Sequence, residues 1–162
     1  MRIVLQRVTA ARVTVDGHIV GEIGGGVVAL IGVTHTDTAA DAERLADKTA
    51  SLRLFADRER PFDRTLAEVG GAVLCVSQFT LFGDVRRGNR PSWVQAAAAE
   101  PARQLVDAYA ARLKYHGLIV ATGVFGAHMH IALDNDGPVT LILDTDELAR
   151  PRRRTAREDP AG

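Results

Sequence analysis

A polar segment at the end of an apolar run is the first candidate for chemistry in this chain. Residues 77–81, Ser-Gln-Phe-Thr-Leu, follow the apolar residues 73–76 and carry two hydroxyl groups and one amide. A serine or threonine hydroxyl is a nucleophile in esterases when an adjacent base activates it. The alternative is an ordinary strand with one solvent-facing side, because Gln78 and Thr80 would share a face. The residues alone leave both interpretations open.

A second candidate segment is rich in turn residues. Residues 135–140, Asn-Asp-Gly-Pro-Val-Thr, separate two stretches that alternate between apolar and polar residues. Asn, Asp, Gly and Pro are typical of turns, so the pattern predicts a hairpin turn that needs no function. The dipeptide Gly137-Pro138 adds one detail. A Gly-Pro bond can adopt the cis form, which is found in only about 5% of X-Pro bonds in folded proteins and is usually specified where it occurs.

Other reactive side chains favour a structural interpretation. His128 and His130 would share one face of a strand, but two ligands do not make a metal site and no third is obviously placed. Cys75 lies inside an apolar run, which predicts a buried thiol rather than a nucleophile. The glycines of residues 21–26 lack the Gly-Lys-Ser/Thr ending of a phosphate-binding loop. We therefore expect neither a metal nor a cofactor.

The elements that must position these residues follow from hydrophobic periodicity. Strands are predicted at residues 3–8, 12–15, 18–23, 27–33, 73–81, 118–121, 128–133 and 139–143. Thr38 and Asp41 mark the start of a helix that continues to Leu52. A second helix is predicted from Pro101 to a stop at Gly117. The predicted class is α+β, with a largely antiparallel, barrel-like sheet covered by two main helices.

Length and composition predict one globular domain. The 162 residues are 46% apolar, which suits a single core. Residues 1–148 carry the periodic pattern, whereas residues 149–162 form an Arg- and Pro-rich tail whose lack of apolar periodicity predicts disorder. No apolar run approaches the ~20 residues of a membrane span, and the first apolar stretch is too short for a signal peptide. We expect a cytoplasmic protein without membrane contact.

The net charge gives no general support to nucleic-acid binding. Lys plus Arg equal Asp plus Glu at 20 each, so the chain lacks the basic field that marks many nucleic-acid binders. Any contact with RNA must therefore be local. The charged loop of residues 83–92 contains three candidates for such a contact, Arg86, Arg87 and Arg90.

Four segments stand in a fixed order along the chain. They are residues 77–81, residues 87–92 (Arg-Gly-Asn-Arg-Pro-Ser), residues 122–126 (Thr-Gly-Val-Phe-Gly) with Met129, and residues 135–140. Together with the start of the chain, Gln6-Arg7-Val8, they resemble the D-aminoacyl-tRNA deacylase family of the Gly-cisPro type, up to about residue 145. Asp63 stands where that family has Asn, and Trp93 replaces its usual Phe.

The resemblance implies an enzyme that hydrolyses the ester between tRNA and a D-amino acid, or glycine mischarged on tRNA-Ala. It also implies a homodimer with the active site at the subunit interface. Gly137-Pro138 of one subunit would enter the pocket of the other and hold the ammonium group and α-carbon of the substrate with main-chain carbonyls. An L-residue would drive its side chain into that wall, whereas glycine would pass, so selectivity would come from rejecting the L-form.

The resemblance further implies that the RNA assists the chemistry, with the 2′-hydroxyl of the terminal adenosine helping to activate water. No side-chain base would then be required. The implied catalytic segment is Ser77, Gln78, Phe79 and Thr80, with backbone N–H donors near Gln78 and Phe79 for the oxyanion. Phe125 and Met129 would shape the substrate pocket, and Thr80 would line it. The tRNA acceptor end would pass Arg86, Arg87 and Arg90.

Two rival functions remain open from the sequence. A conventional esterase would use Thr80 or Ser77 as nucleophile with a histidine that the sequence does not place, and it would form an acyl-enzyme. A non-catalytic nucleic-acid-binding protein would hold phosphates with the arginines of residues 86–90 and the tail, and it would show steep salt dependence without turnover. Neither rival accounts for residues 135–140.

Overall fold

A long first strand organises the sheet in the computed structural model, which describes residues 1–150. Strand β1 (Arg2–Val15) pairs antiparallel with β2 (His18–Ile23) through its second half and with β3 (Gly26–Gly32) through its first half. The last strand, β6 (His130–Asp144), pairs antiparallel with β1 along almost its whole length. The first strand of the chain therefore pairs with the last one.

Two parallel strands extend the sheet beyond β3. Strand β4 (Ala72–Ser77) pairs with β3, and β5 (Ile119–Thr122) pairs with β4. The sheet of residues 1–150 is therefore mixed, with antiparallel pairing around β1 and parallel pairing at β4. It curls until β2 lies against β4 and β5. Gly21 permits this closure, because a Cβ at that position would lie 2.6 Å from the carbonyl oxygen of Thr122.

Two long helices cover one face of the sheet. Helix α1 (Ala39–Ser51) begins at the predicted capping box of Thr38 and Asp41. Helix α2 (Ala99–Tyr115) begins two residues before Pro101, which stays within the first turn, where a missing N–H leaves no helical hydrogen bond unmade. It ends before Gly117, which has a φ of 77°. A short third helix, α3 (Thr145–Ala149), was not predicted.

The side chains form two apolar cores, one on each face of the sheet. The larger lies between the sheet and α1 and α2, and it includes Ile3, Ile31, Leu45, Tyr109 and Leu113. The smaller lies inside the curl of the sheet, and it includes Val13, Val28, Leu74 and Val76. β3 and β4 contribute to both, which explains their nearly continuous apolar sequence. The α+β class, the barrel-like sheet and the two main helices are confirmed.

Two predicted strand boundaries were wrong. Residues 3–8 and 12–15 form one strand because β6 continues along β1 across the gap. The strand predicted at residues 73–81 ends at Ser77, and Phe79–Phe82 form a 3₁₀ turn instead. In both cases alternation of polar and apolar residues did not distinguish a strand from a bend in the chain.

The predicted hairpin turn at residues 135–140 was also wrong. Residues 128–133 and 139–143 belong largely to the single strand β6, because Asn135 pairs with Val8 and Thr140 pairs with Gln6. Residues 136–139 therefore lie opposite one residue, Arg7, and form a bulge that projects from β6. Turn residues serve here to make the bulge rather than to reverse the chain.

The described residues end shortly after the start of the predicted tail. Most of the predicted disordered tail, residues 151–162, lies outside the described residues. Ala149, placed in that tail by the sequence, is the last residue of α3. No helix within residues 1–150 is long and apolar enough to cross a membrane.

Candidate active site

Two adjoining cavities bring together most of the residues singled out in the sequence. An outer cavity of about 240 Å³ is lined by Ser77, Gln78 and Phe79 on one side and by Gly126, His128 and Met129 on the other. An inner, largely apolar cavity of about 80 Å³ shares Ser77, Phe79 and Gly126 with it and adds Phe125 and side chains of α2. Segments nearly 50 residues apart thus form one site.

The first wall of the site is the turn that follows β4. Ser77 ends the buried strand, and Gln78 leaves it with φ −143° and ψ 76°. The following 3₁₀ turn is closed by a 3.0 Å hydrogen bond from the Gly83 N–H to the Thr80 carbonyl. The Gln78 side-chain amide donates to the Thr80 hydroxyl. The expectation that Thr80 lines the pocket was wrong: Thr80 lines neither cavity, because its side chain is hydrogen-bonded to Gln78, which lines the outer one.

Of the backbone N–H groups near Gln78 and Phe79 that could serve as oxyanion donors, that of Gln78 is already occupied. The Gln78 N–H donates to the carbonyl oxygen of Ile31 over 2.7 Å, because Gln78 still follows the edge of β3 as it leaves β4. That hydrogen is therefore unavailable to a substrate. Within residues 1–150, the N–H groups of Phe79 and Thr80 have no hydrogen-bond acceptor. The first N–H groups of a helical turn lack an internal partner, which leaves them free for a ligand.

The second wall is the turn that follows β5. The Gly123 N–H donates to the carbonyl of Cys75 over 2.9 Å, which ties this segment to the end of β4. A Cβ at Gly123 would lie 2.6 Å from the sulfur of Met129, so only glycine allows Met129 to pack there. The turn continues through Gly126, whose φ is 79°, and it places Phe125 and Met129 on the cavities.

Cysteine and histidine chemistry at the site is restricted by the surroundings. Cys75 is buried, and burial raises the pKa of its thiol to about 12, so it is a core residue as predicted. His128 is the one imidazole among the residues that line the two cavities. It makes no hydrogen bond to Ser77 or to an orienting carboxylate in residues 1–150. Its ring packs edge-on against the ring of His130, with centroids 5.0 Å apart. Both histidines are exposed.

Metal-binding groups are sparse in the part of the chain that the structure describes. No cluster of three or more His, Cys, Asp or Glu side chains has the geometry to hold a metal ion among residues 1–150. The His128 and His130 pair acquires no third ligand in that range.

The Gly137-Pro138 segment does not line the cavities of its own chain. Its peptide bond is cis, and both residues are exposed at the tip of the β6 bulge. Two side chains hold the bulge in place. Arg7 contacts both the main-chain and side-chain oxygens of Asp136, at 3.2 and 3.1 Å. Asn135 donates to the carbonyls of Arg7 and Val139, each over 3.0 Å. The bulge is therefore a fixed projection rather than a loose loop.

The three candidate arginines for RNA contact are not equivalent. They lie on an exposed loop whose ends, Asp84 and Ser92, are joined by a pair of backbone hydrogen bonds. Arg86 is held by a two-pronged ion pair with Asp84, which lowers the pKa of that carboxyl to about 2. Arg87 and Arg90 make no ion pair within residues 1–150. None of the three lines the two cavities.

The chain matches a family model over residues 4–144, and that model describes D-Tyr-tRNA(Tyr) deacylases. The chain belongs to the D-aminoacyl-tRNA deacylase family. A D-aminoacyl-tRNA deacylase of Chloroflexus aurantiacus is 57% identical over 159 residues, covering 98% of this chain and 99% of that protein. A D-aminoacyl-tRNA deacylase of Thermus aquaticus is 53% identical over 147 residues, covering 91% of this chain and 97% of that protein.

Solved structures share the same architecture. A protein described as a c-Myc DNA unwinding element binding protein superposes with a TM-score of 0.82 at 36% identity, covering 89% of this chain and 98% of that chain. A probable eukaryotic D-amino acid tRNA deacylase superposes with a TM-score of 0.74 at 18% identity, covering 88% and 97%, and it supports the fold alone. The deacylase family fold therefore extends over nearly all of the described residues.

Two residues of this deacylase family member make contacts at the site or the bulge that the sequence patterns did not predict. Arg7 belongs to the segment that resembles the family, and in the structure it also fixes the β6 bulge. Trp93 was noted only as a departure from the family's Phe, yet its ring packs edge-on against Phe79 with centroids 5.3 Å apart. Both contacts join residues more than ten positions apart, so no local pattern could have revealed them.

Proposed function

We propose that this chain hydrolyses the ester bond of D-aminoacyl-tRNA at the two adjoining cavities, releasing the free amino acid and tRNA. One observation carries the proposal. Residues 77–79 and 125–129, quoted separately for the family resemblance, converge on one site. The family membership of the chain supplies the reaction. The cytoplasm, where tRNA is charged, is the expected compartment.

The chemistry of the site supports positioning rather than a side-chain nucleophile. The Phe79 N–H, with the Thr80 N–H beside it, can donate to the oxygen that becomes negative when water attacks the ester. Each such donor is worth about 3 kcal/mol in enzymes where it has been removed. The 2′-hydroxyl of the terminal adenosine would help to activate the water, as the family resemblance implies. An aminoacyl ester is labile, so positioning and oxyanion stabilisation suffice.

Chiral selectivity would come from a second subunit. Gly137 and Pro138 are exposed on the β6 bulge and line neither cavity of their own chain, and Arg7 and Asn135 hydrogen-bond the bulge to β1 and to its own backbone. Such a projection suits insertion into the site of a partner, where main-chain carbonyls would meet the ammonium group and α-carbon of the substrate. A wall at that place rejects the side chain of an L-residue. Glycine, without a side chain, would be accepted, so glycyl-tRNA mischarged on tRNA-Ala is a second expected substrate.

The esterase alternative has one observation in its favour. His128, which the sequence could not place, lines the same outer cavity as Ser77. The two side chains are not hydrogen-bonded, and no carboxylate orients His128 within residues 1–150. A nucleophile and its base normally lie within hydrogen-bond reach, with a third group orienting the base. The geometry therefore favours RNA-assisted hydrolysis over an acyl-enzyme.

The nucleic-acid-binding alternative also has one observation in its favour: a solved relative, 36% identical to this chain, is described as a DNA unwinding element binding protein. Turnover separates the two functions, because a binding protein would hold nucleic acid without cleaving an ester. Salt dependence alone does not, since both functions involve phosphate contacts.

The deciding experiment compares hydrolysis of matched D- and L-aminoacyl-tRNA by the purified protein. We expect the D-ester to be cleaved at least about a hundredfold faster, because an excluded side chain costs several kcal/mol of binding energy. Glycyl-tRNA should be cleaved as well. Equal rates on the D- and L-esters would overturn the proposed selectivity, and the absence of any turnover would leave the binding function.

A further inference from the structure

We propose that Arg103 of α2 binds a phosphate of the tRNA acceptor strand next to the terminal adenosine. The inference rests on the proposed function, because it takes the acceptor end of tRNA as the substrate. It assigns a role to a residue that neither the sequence patterns nor the arginine loop of residues 86–90 pointed to.

Arg103 lies at the rim of the inner cavity. Its guanidinium carbon is 4.7 Å from the centroid of the Phe125 ring. Phe125 in turn lines that cavity together with Ser77 and Phe79. The ester of an aminoacyl-tRNA is separated from the 5′-phosphate of the same nucleotide by one ribose. A phosphate of the RNA must therefore lie at the rim of the cavities that hold the ester, where Arg103 is exposed.

The contact with Phe125 orients the guanidinium. An arginine that stacks on an aromatic face is held in place by the ring, while its N–H groups remain directed away in the plane of the guanidinium. Those N–H groups match the geometry of phosphate oxygens and can bind two of them at once. The ring also limits the rotamers that Arg103 samples, so less conformational entropy is lost when a phosphate binds.

Within residues 1–150, the charge of Arg103 is less compensated than that of three arginines near the site, a property that it shares with Arg87 and Arg90. Arg86 is paired with Asp84, Arg2 with Asp144 and Arg7 with Asp136. Arg103 makes neither an ion pair nor a hydrogen bond to a carboxylate within residues 1–150.

Two acidic residues of α2 are exposed to solvent near Arg103. Glu100 accepts a hydrogen bond from Gln104, and Asp107 is exposed one turn further along the helix. Neither lies within ion-pair distance of the guanidinium. Arg103 is therefore a cation beside the site that still lacks an anionic partner, and a phosphate diester supplies one.

The test compares two substrates that differ in the phosphate. One is D-phenylalanyl-tRNA, and the other is the 3′-ester of D-phenylalanine with adenosine, which has no phosphate. For Arg103→Gln we expect KM for the tRNA to rise about tenfold with kcat unchanged, since a hydrogen bond between charged groups is lost. The slope of log KM against log salt should become shallower by about 0.7, the value for one single-strand phosphate. Hydrolysis of the adenosine ester should not change.

Lys114→Gln is the matched control, because it removes the same charge from an exposed position on the same helix, three turns from Arg103. It should leave all values at those of the wild type. Arg103→Lys should recover part of the lost affinity, since the charge is kept but the planar fork is not.

Two results would overturn the inference. Equal losses on the tRNA and the adenosine ester would show that Arg103 acts only through the Phe125 wall. Unchanged kinetics and salt dependence on the tRNA would show that no phosphate contacts Arg103. Binding of uncharged tRNA, titrated over the same salt series, separates this inference from the proposed function. If the wild type cleaves neither ester, the proposed reaction fails. If the Arg103→Gln variant nevertheless binds uncharged tRNA more weakly than the wild type, the phosphate contact stands.

Discussion

At the scale of single residues, Gly137 has no room for an added methyl group. Its φ is 124°, and a Cβ would lie 2.7 Å from a methyl carbon of Val139 and 3.0 Å from the Arg7 guanidinium. Gly137→Ala should therefore displace the β6 bulge and lower kcat/KM on D-aminoacyl-tRNA at least about a hundredfold, because misplacement by about 1 Å has a cost of that size. Gly24→Ala, which meets nothing within 4 Å, is the control and should retain activity.

Circular dichroism and thermal melting of Gly137→Ala decide whether a loss of activity is local. The proposal expects a folded protein with reduced D-activity. Wild-type turnover on the D-ester by a folded Gly137→Ala variant would remove Gly137 from the selectivity mechanism.

Also at the residue scale, the hydroxyl and imidazole groups at the site separate the two reaction mechanisms. Thr80→Ala and His128→Asn should each retain at least about a tenth of the wild-type kcat, because the first residue lies outside both cavities and the second has no orienting partner. Removing a true nucleophile or its base costs about 10⁶-fold in serine proteases. Single-turnover assays with quenching provide the measurement. A covalent acyl-enzyme trapped on Ser77 or Thr80 would establish the esterase mechanism instead.

At the scale of secondary-structure elements, a polar cluster fastens α2 to α1. Asp47 of α1 accepts hydrogen bonds from Arg112 of α2 and from His116, and these bonds lower the pKa of Asp47 to about 2. The native state thus favours the ionised carboxylate. Its contribution to stability is complete above the ordinary value of 3.8 and is lost as the pH falls through about 2.

Asp47→Asn should therefore destabilise the protein near neutral pH and have progressively less effect below pH 4. The effect should be small, with a fall of only a few degrees in Tm, since the pair is exposed to solvent and screened. Urea denaturation at pH 7, 4 and 3 measures the difference. Asp107→Asn, which removes a carboxylate without an ion pair on α2, is the control. A pH-independent difference would assign the effect of Asp47→Asn to something other than its charge.

At the scale of the whole molecule, the outer edge of β6 and the apolar side chains near it have no cover within the described chain. Among residues 1–150, β6 pairs only with β1, and Ile142 is 62% exposed beside Val4, its cross-strand neighbour. A long strand with one unpaired edge and exposed apolar residues is a surface that natural proteins cover. The proposed homodimer would cover it, and the same strand carries the bulge that must reach the partner's cavities.

Ile142→Glu should therefore weaken the dimer and lower D-activity together, because each site would lose the bulge supplied by its partner. Analytical ultracentrifugation and activity at a series of protein concentrations provide the test. Thr36→Ala, an exposed substitution outside the sheet, serves as control. A wild-type protein that sediments as a monomer and is fully active would exclude the shared site.

The sequence by itself determined the features that depend on neighbouring residues. The capping box of Thr38 and Asp41 starts α1 as predicted, and Gly117 ends α2, since both signals act within one helical turn. The buried state of Cys75 followed from the apolar run around it. The segments at residues 77–81 and 135–140 were also recognised, because their polar and turn residues interrupt the strand pattern.

Only the tertiary structure decided features that join distant parts of the chain. The sequence predicts a turn at residues 135–140, because a bulge and a hairpin use the same residue types. In the structure these residues form a bulge, because β6 continues to pair with β1 on both sides of them. The Gln78 N–H was removed from the set of oxyanion donors by Ile31, a residue on another strand. The contact of Arg103 with Phe125 likewise depends on how α2 packs over the sheet. Local patterns fix which residues turn, cap or alternate, whereas packing and strand pairing fix which of them meet.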